Sequence, residues 1–318
     1  MGIGSSALVS TLSRPTFAQA NNPVRKASQV LRIGYQKSSV VLNYLRSTKE
    51  LNKQLAKRGI NVTWSEFRSG PPMLEAVNAG AIDLAPVGDS PPIFAQAGGG
   101  QILYAAFSGS NPKSNAIIVQ KSSTIRTLRD LKGKKVAFAK GSSAHNLIVQ
   151  ALKSVGLKYE DIEPVYLQPP DARGAFETGK VDAWSIWDPY YAQIQDAGKA
   201  RVLVDGTSLV RGDSFYVTSK QFARQNPALL KTILGQIKIT SNWINNNRLK
   251  VAKFLAPELG LDERVILVTE SRRRYDILPV DKKTVDSQQN IADTFVGLGL
   301  IPKRINVSEA VWNGSKNL

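Results

Sequence analysis

The chain contains no cysteine, which excludes disulfides, thiolate metal sites and a cysteine nucleophile. It leaves the compartment open, because many exported proteins also lack disulfides. A single histidine, His145, rules out a multi-histidine metal centre. Ser143 stands two residues before it, but no orienting carboxylate or oxyanion hole accompanies the pair, so enzymatic readings begin at a disadvantage. No run approaches the roughly 18 apolar residues of a membrane helix. Aromatic residues are nowhere interleaved with a basic stretch as a strand-binding channel requires. No metal, cofactor or nucleic acid is therefore expected.

Positive charge is abundant: 42 Lys and Arg against 25 Asp and Glu give a net charge of +17. It is spread through the chain, and the densest run, Arg272-Arg273-Arg274, is flanked by Glu270 and Asp276. Most of it reads as solvated surface that also favours the approach of anions.

At 318 residues the chain has room for two domains of about 150 each, and 42% hydrophobic content supplies their cores. Residues 1–20 read as the remains of an export signal, with Ala18-Gln19-Ala20 as the small-x-small cleavage pattern, although no basic segment precedes the apolar part. No cysteine stands there to carry a lipid. Residues 21–29 read as a polar linker.

Strands then alternate with helices. Val30–Tyr35, Asn61–Phe67, Ala81–Val87 and Gln101–Phe107 read as strands, separated by helices over Val41–Arg58, Pro72–Ala79 and Ile93–Ala97. The loop Ser108–Ser114 marks a first crossing between lobes. Alternation restarts with strands at Ala116–Gln120, Lys135–Ala139, Glu163–Leu167, Val181–Ile186 and Arg201–Val204. Helices are expected at Thr127–Leu131, Asn146–Ser154 and Ala172–Thr178, and Ser214–Thr218 returns the chain. Four helices follow, Pro227–Asn245, Leu249–Leu255, Asp262–Ser271 and Asp286–Leu298, with Gly260 and Gly299 as stops. This is an α/β chain in two lobes, each a mixed sheet with flanking helices. Residues 30–115 with 219–318 form the first lobe, 116–218 the second, and 1–29 lie outside.

The stretch Lys140-Gly141-Ser142-Ser143-Ala144-His145-Asn146 joins a strand to a helix through a glycine and two hydroxyls. Gly141 permits a sharp turn. The first N–H groups of the helix lack partners, and its dipole adds partial positive charge, which suits a small oxyanion. In isolation, helix capping is the better account of both serines. The balance shifts because Gln36-Lys37-Ser38, Gly88-Asp89-Ser90, Pro170-Asp171 and Trp187-Asp188-Pro189 also follow strands. Open α/β sheets bind ligands at that edge.

The motifs I-G-Y-Q-K-S (33–38), G-D-S-P-P-I-F-A-Q-A (88–97), D-L-K-G-K-K-V-A-F-A-K-G-S-S-A-H-N (130–146) and V-D-A-W-S-I-W-D-P-Y-Y (181–191) resemble the periplasmic solute-binding proteins of ABC importers. The resemblance is to the aliphatic-sulfonate-binding branch, beside the nitrate and taurine binders, and covers about residues 30–310. It implies a type II periplasmic-binding-protein fold, with closure of the two lobes around one small anionic organosulfonate. It further implies a monomeric, exported, non-enzymatic protein that docks on an ABC permease at the inner membrane. Sibling ligands are taurine, nitrate and bicarbonate. The pyrimidine synthases built on this fold use a cysteine-rich motif, absent here.

In that setting Ser142 and Ser143, with the N–H groups after them, are assigned to the sulfonate oxygens. Gln36 offers an amide donor, Ser38 a hydroxyl, and Gly88 a close backbone approach. Asp89 reads as a cap or hinge residue, or with Asp188 as the receiver of an ammonium on an amine-bearing sulfonate. Of two tryptophans, Trp184 is placed in the cleft and Trp187 in the core. His145 is a candidate donor at the helix start, and Arg173 either reaches the cleft or pairs with Asp171.

Overall fold

The structure, a computed structural model, describes residues 1–2 and 29–317. The export-signal reading, and the linker up to residue 28, therefore lie outside the described residues. Among the described residues ten strands run in order: β1 (Gln29–Tyr35), β2 (Ile60–Glu66), β3 (Leu84–Gly88), β4 (Ile102–Ser110), β5 (Asn115–Gln120), β6 (Lys135–Phe138), β7 (Glu163–Tyr166), β8 (Ala183–Trp187), β9 (Ala200–Asp205) and β10 (Asp213–Ser219).

They form two five-stranded sheets, ordered β2-β1-β3-β10-β4 and β7-β6-β8-β5-β9. In the first, β1 runs parallel to β2 and β3, while β10 is antiparallel to β3 and β4. In the second, β6 runs parallel to β7 and β8, while β5 is antiparallel to β8 and β9. One plan is used twice, and the antiparallel strand of each sheet is the one that has just crossed from the other lobe. By sheet membership the second lobe ends before Asp213. The expected boundary at 218 differs because β10 is paired on both sides within the first sheet.

The two crossings lie side by side. Asn111 donates its N–H to the Gly212 carbonyl at 2.9 Å, and Gly206 donates to the Asn115 carbonyl at 2.9 Å. A Cβ on Gly212, which has φ +64°, would lie 2.8 Å from the Asn111 and Pro112 backbones. Only glycine combines that positive φ with so close an approach.

Burial follows the strand positions. Ala116, Ile117, Ile118 and Val119 of β5 are fully buried, as expected of a central strand covered on both faces. Hydrophobic clusters sit on both faces of the first sheet, one under the helices Val40–Thr48 and Pro227–Asn246 and the other under Gly70–Asn78 and Lys282–Gly297. The second sheet has its own cluster, centred on Phe138, Leu147 and Trp184.

The expected helix over 41–58 is two helices, Val40–Thr48 and Glu50–Ala56, broken at Lys49 with φ 56°. At about 100° per residue, an unbroken helix would turn Leu51 roughly 120° away from Leu45. The break resets the phase, and both leucines reach the core. The last long helix starts at Lys282 rather than Asp286, because Asp281 caps it by accepting from the Thr284 N–H at 2.8 Å. A helix over Tyr190–Asp196 is additional to the sequence expectation. No helix among the described residues is long and apolar enough to cross a membrane.

Candidate functional site

Between the carboxyl ends of the two sheets lies a cavity of about 100 Å³. Five of the expected residues line it: Gln36, Ser38, Gly88, Ser142 and Ser143.

On the second lobe, Gly141 takes φ +72°, and its ideal Cβ position would press on the Phe94 ring at 3.2 Å. The helix Ser143–Ser154 starts immediately after. Ser142 is buried and donates its hydroxyl to the Ala139 carbonyl at 2.7 Å, so it locks the turn instead of capping the helix by its side chain. The N–H groups of His145 and Asn146 bond to the Ser142 carbonyl. Those of Ser143 and Ala144 remain for whatever sits before the helix, together with the Ser143 hydroxyl.

On the first lobe, Gln36 is buried and already donates its side-chain amide to the Pro86 carbonyl at 3.2 Å. Ser38 accepts on its carbonyl from Arg273 Nη1 at 2.9 Å. Gly88 faces Ser143 so closely that a Cβ would overlap the serine hydroxyl. Its part is to let the lobes meet.

Four expected residues stand away from the cavity lining. Trp184 is 1% exposed and packs on Phe176 in the second core, whereas Trp187 lines the cavity. The expected assignment of the two is reversed. Trp187 is the last residue of β8 and pairs with Asn115, itself in the cavity wall, while Trp184 pairs with Ile118 deep in the sheet. His145 is buried, with Nδ1 accepting from the Gly141 N–H at 3.2 Å and Nε2 placed 2.9 Å from the Tyr159 hydroxyl. Burial, with Lys140 nearby, pushes its pKa down to about 3. It is a neutral strut of the turn, with neither nitrogen left for a ligand.

Asp89 accepts from Asn146 at 2.9 Å across the lobes and from Ser90 at 2.8 Å, and burial pushes its pKa up to about 6. Asp188 is fully buried and pairs with Arg272 at 3.0 Å, with the Arg272 guanidinium 3.9 Å from the centre of the Tyr191 ring. Burial raises its pKa against the pull of Arg272 and Arg273. Both aspartates join the lobes. Arg173 pairs with Glu177 at 2.9 Å, and Asp171 faces Arg68 at 3.7 Å.

The wall also holds Arg273 and Asp213, which sequence reasoning did not single out. Asp213 is offset by Arg211 at 3.0 Å and accepts from the Ser110 hydroxyl. Arg273 donates to the Ser38 and Asp188 carbonyls, its buried Nε has no hydrogen-bond partner, and no carboxylate pairs with it. It is the cation of the wall, with no direct ion pair among the described residues, and the buried Asp188 and Glu270 feel its charge. Its segment is anchored from behind: Arg248 donates to the Glu270 and Arg273 carbonyls, and Asn111 accepts from the Arg274 N–H at 2.8 Å. Among the described residues no group of three His, Cys, Asp or Glu is placed to hold a metal.

Residues 55–248 match the model of the family described as NMT1/THI5 like. The chain is 42% identical over 307 residues to an Escherichia coli (strain K12) protein named provisionally as an aliphatic sulfonates-binding protein, covering 96% of this chain and 95% of the relative. Among solved structures, the alkanesulfonate-binding protein SsuA from Xanthomonas axonopodis pv. citri bound to MOPS superposes with a TM-score of 0.86 at 39% identity, over 90% of this chain and 99% of that one. The periplasmic aliphatic sulphonate binding protein SsuA from Escherichia coli gives 0.81 at 41% identity, over 91% and 99%.

Proposed function

The chain belongs to the NMT1/THI5-like family and, within it, to the aliphatic-sulfonate-binding proteins, and we propose that it captures a small organosulfonate in the cavity between its lobes. It is a binding protein, as those relatives are, rather than an enzyme. The observation that carries the reading is that Arg273, which no carboxylate pairs directly among the described residues, shares one small cavity with the start of the helix Ser143–Ser154.

A sulfonate is permanently anionic and presents three acceptor oxygens. The N–H groups of Ser143 and Ala144 and the Ser143 hydroxyl supply neutral donors, the helix end adds partial positive charge, and Arg273 supplies the full charge. Trp187 gives the organic tail an apolar wall. Residues from both lobes contact the ligand, so binding stabilises the closed arrangement over an open one through rotation at the paired crossings. Asn146–Asp89 and Arg272–Asp188 are made only when the lobes meet. We further propose that the protein is exported to the periplasm, acts as a monomer and hands its ligand to an ABC permease as a source of sulfur.

A thermal-shift panel of alkanesulfonates, taurine, nitrate, sulfate and phosphate tests the reading. A selective rise with alkanesulfonates is expected by linkage. A rise confined to taurine or nitrate moves the chain to a sibling ligand, and no rise with any of them removes the ligand assignment.

A further inference from the structure

The outer surface of the first lobe is rich in cations and poor in carboxylates. The helices Lys220–Gln225, Pro227–Asn246 and Arg248–Leu259 cover it. They expose Lys220, Arg224, Lys231, Lys238, Lys250 and Lys253, none of which is ion-paired. From 220 to 259 the sequence has one carboxylate, Glu258, and it is occupied by Arg46 at 3.8 Å and Ser47 at 2.8 Å.

Among these cations stand large apolar side chains that remain exposed outside the core. Ile239 is 65% exposed, Leu249 53%, Phe254 38% and Trp243 37%. Trp243 and Phe254 both pack on Tyr44, with ring centres 4.9 and 5.3 Å away, so three helices share one aromatic cluster. Cations and aromatic rings therefore do alternate here, in correction of the sequence expectation, because Trp243 and Phe254 flank Lys250 and Lys253 across two helices. Lys250 and Phe254, Leu249 and Lys253, and Ile239 and Trp243 are each four apart and lie on common helix faces. The opposite faces carry Leu230, Ile233, Leu234 and Ile237, all fully buried; core packing therefore does not account for the outer row.

We propose that this face seats the protein on an anionic lipid bilayer. Lysines draw it to the headgroups, each strengthening attachment about fivefold near an anionic surface. Trp243, Phe254 and Leu249 then enter the interfacial layer, where amphipathic aromatic rings are most favourable. A bilayer is favoured over nucleic acid because the aliphatic Ile239 and Leu249 are the most exposed of these side chains, and they gain from an acyl boundary but offer no ring for a base to stack on.

The test is flotation of the full chain with phosphatidylglycerol–phosphatidylcholine vesicles and with phosphatidylcholine vesicles. Flotation with the anionic vesicles alone is expected. The exposed pair Lys250→Gln and Lys253→Gln should weaken it about thirtyfold, from two lysine contributions. The same charge change at Lys121→Gln and Lys153→Gln, on the second lobe, should weaken it by no more than about twofold, since neither residue belongs to the docked helices and salt screens charges outside the contact. Trp243→Ala with Phe254→Ala should cause a loss that persists in high salt. The proposal is overturned by absence of flotation, by equal losses in the two lysine pairs, or by a tryptophan–phenylalanine pair that floats like wild type. Binding to duplex DNA or polyglutamate in place of vesicles would overturn it as well.

Discussion

The two lobes share a strand plan and differ in what they bring to the cleft. Each has a five-stranded sheet with a swapped antiparallel strand. The second lobe offers the cavity a turn and a helix end, made from residues adjacent in sequence, Gly141 to Ala144. The first lobe offers Gln36 and Ser38 from a strand-end loop, but its cation, Arg273, arrives from the helical segment after the sheet is complete. Shared topology therefore fixes where the cavity lies, and the C-terminal segment added to one lobe supplies its cation.

The comparison is broken most forcefully at the tryptophans of β8. If Trp184 is core and Trp187 is cavity wall, Trp184→Ala should cost about 3–5 kcal/mol in denaturant unfolding. Trp187→Ala should cost less stability and change the preference among sulfonates of different tail length. Equal stability losses with unchanged ligand preference would contradict the placement.

The joint between the lobes comes next. Asp188→Asn leaves Arg272 with a buried charge and no carboxylate, and should lower stability by about 3 kcal/mol. The loss should show most clearly in ligand-saturated protein, because Arg272 and Asp188 belong to different lobes. An equal loss with and without ligand would mean that the pair is indifferent to closure.

Smaller effects separate the two kinds of donor. Arg273→Gln removes a charge-assisted contact and should weaken sulfonate binding about thirtyfold, from a loss of about 2 kcal/mol. Ser143→Ala removes one neutral donor and should weaken it about fivefold, from about 1 kcal/mol. Calorimetric titration resolves both.

The smallest effect is in pH. His145, in the second lobe, has its pKa lowered from 6.5 to about 3 on folding. The unfolded chain takes up that proton first, so this contribution to stability is lost as pH falls below about 6.5. Asp89 and Glu270, in the first lobe, are both raised to about 6 by burial. Here the folded chain takes up protons first, and stability rises as pH falls through 6. The histidine and the buried carboxylates therefore oppose one another. His145→Gln removes one side, and its melting temperature relative to wild type should climb between pH 7.5 and 4.5. Parallel curves would count against a neutral buried histidine.

Much of this cleft was legible in the sequence. Strand–glycine–hydroxyl patterns placed Gln36, Ser38, Gly88, Ser142 and Ser143 at strand ends, and the structure brings all five to one cavity. What was not legible has definite causes. All five residues of β8 are buried, so hydrophobicity could not tell which tryptophan reaches the cavity; only its register against Asn115 does. Arg273 sits in a charged run that looks like solvated surface, and its burial depends on contacts with Ser38 and Asp188, 235 and 85 residues away. The break at Lys49 was present as a phase slip between Leu45 and Leu51, readable once both are required to face one core.

The most direct test of the account is a calorimetric titration of ethanesulfonate into wild-type protein and into Arg273→Gln and Ser143→Ala. One site per chain is expected, with a larger loss of affinity for Arg273→Gln than for Ser143→Ala. Wild-type protein that gives no binding heat, or an Arg273→Gln variant that binds as tightly as wild type, would contradict a cleft whose charge comes from the first lobe.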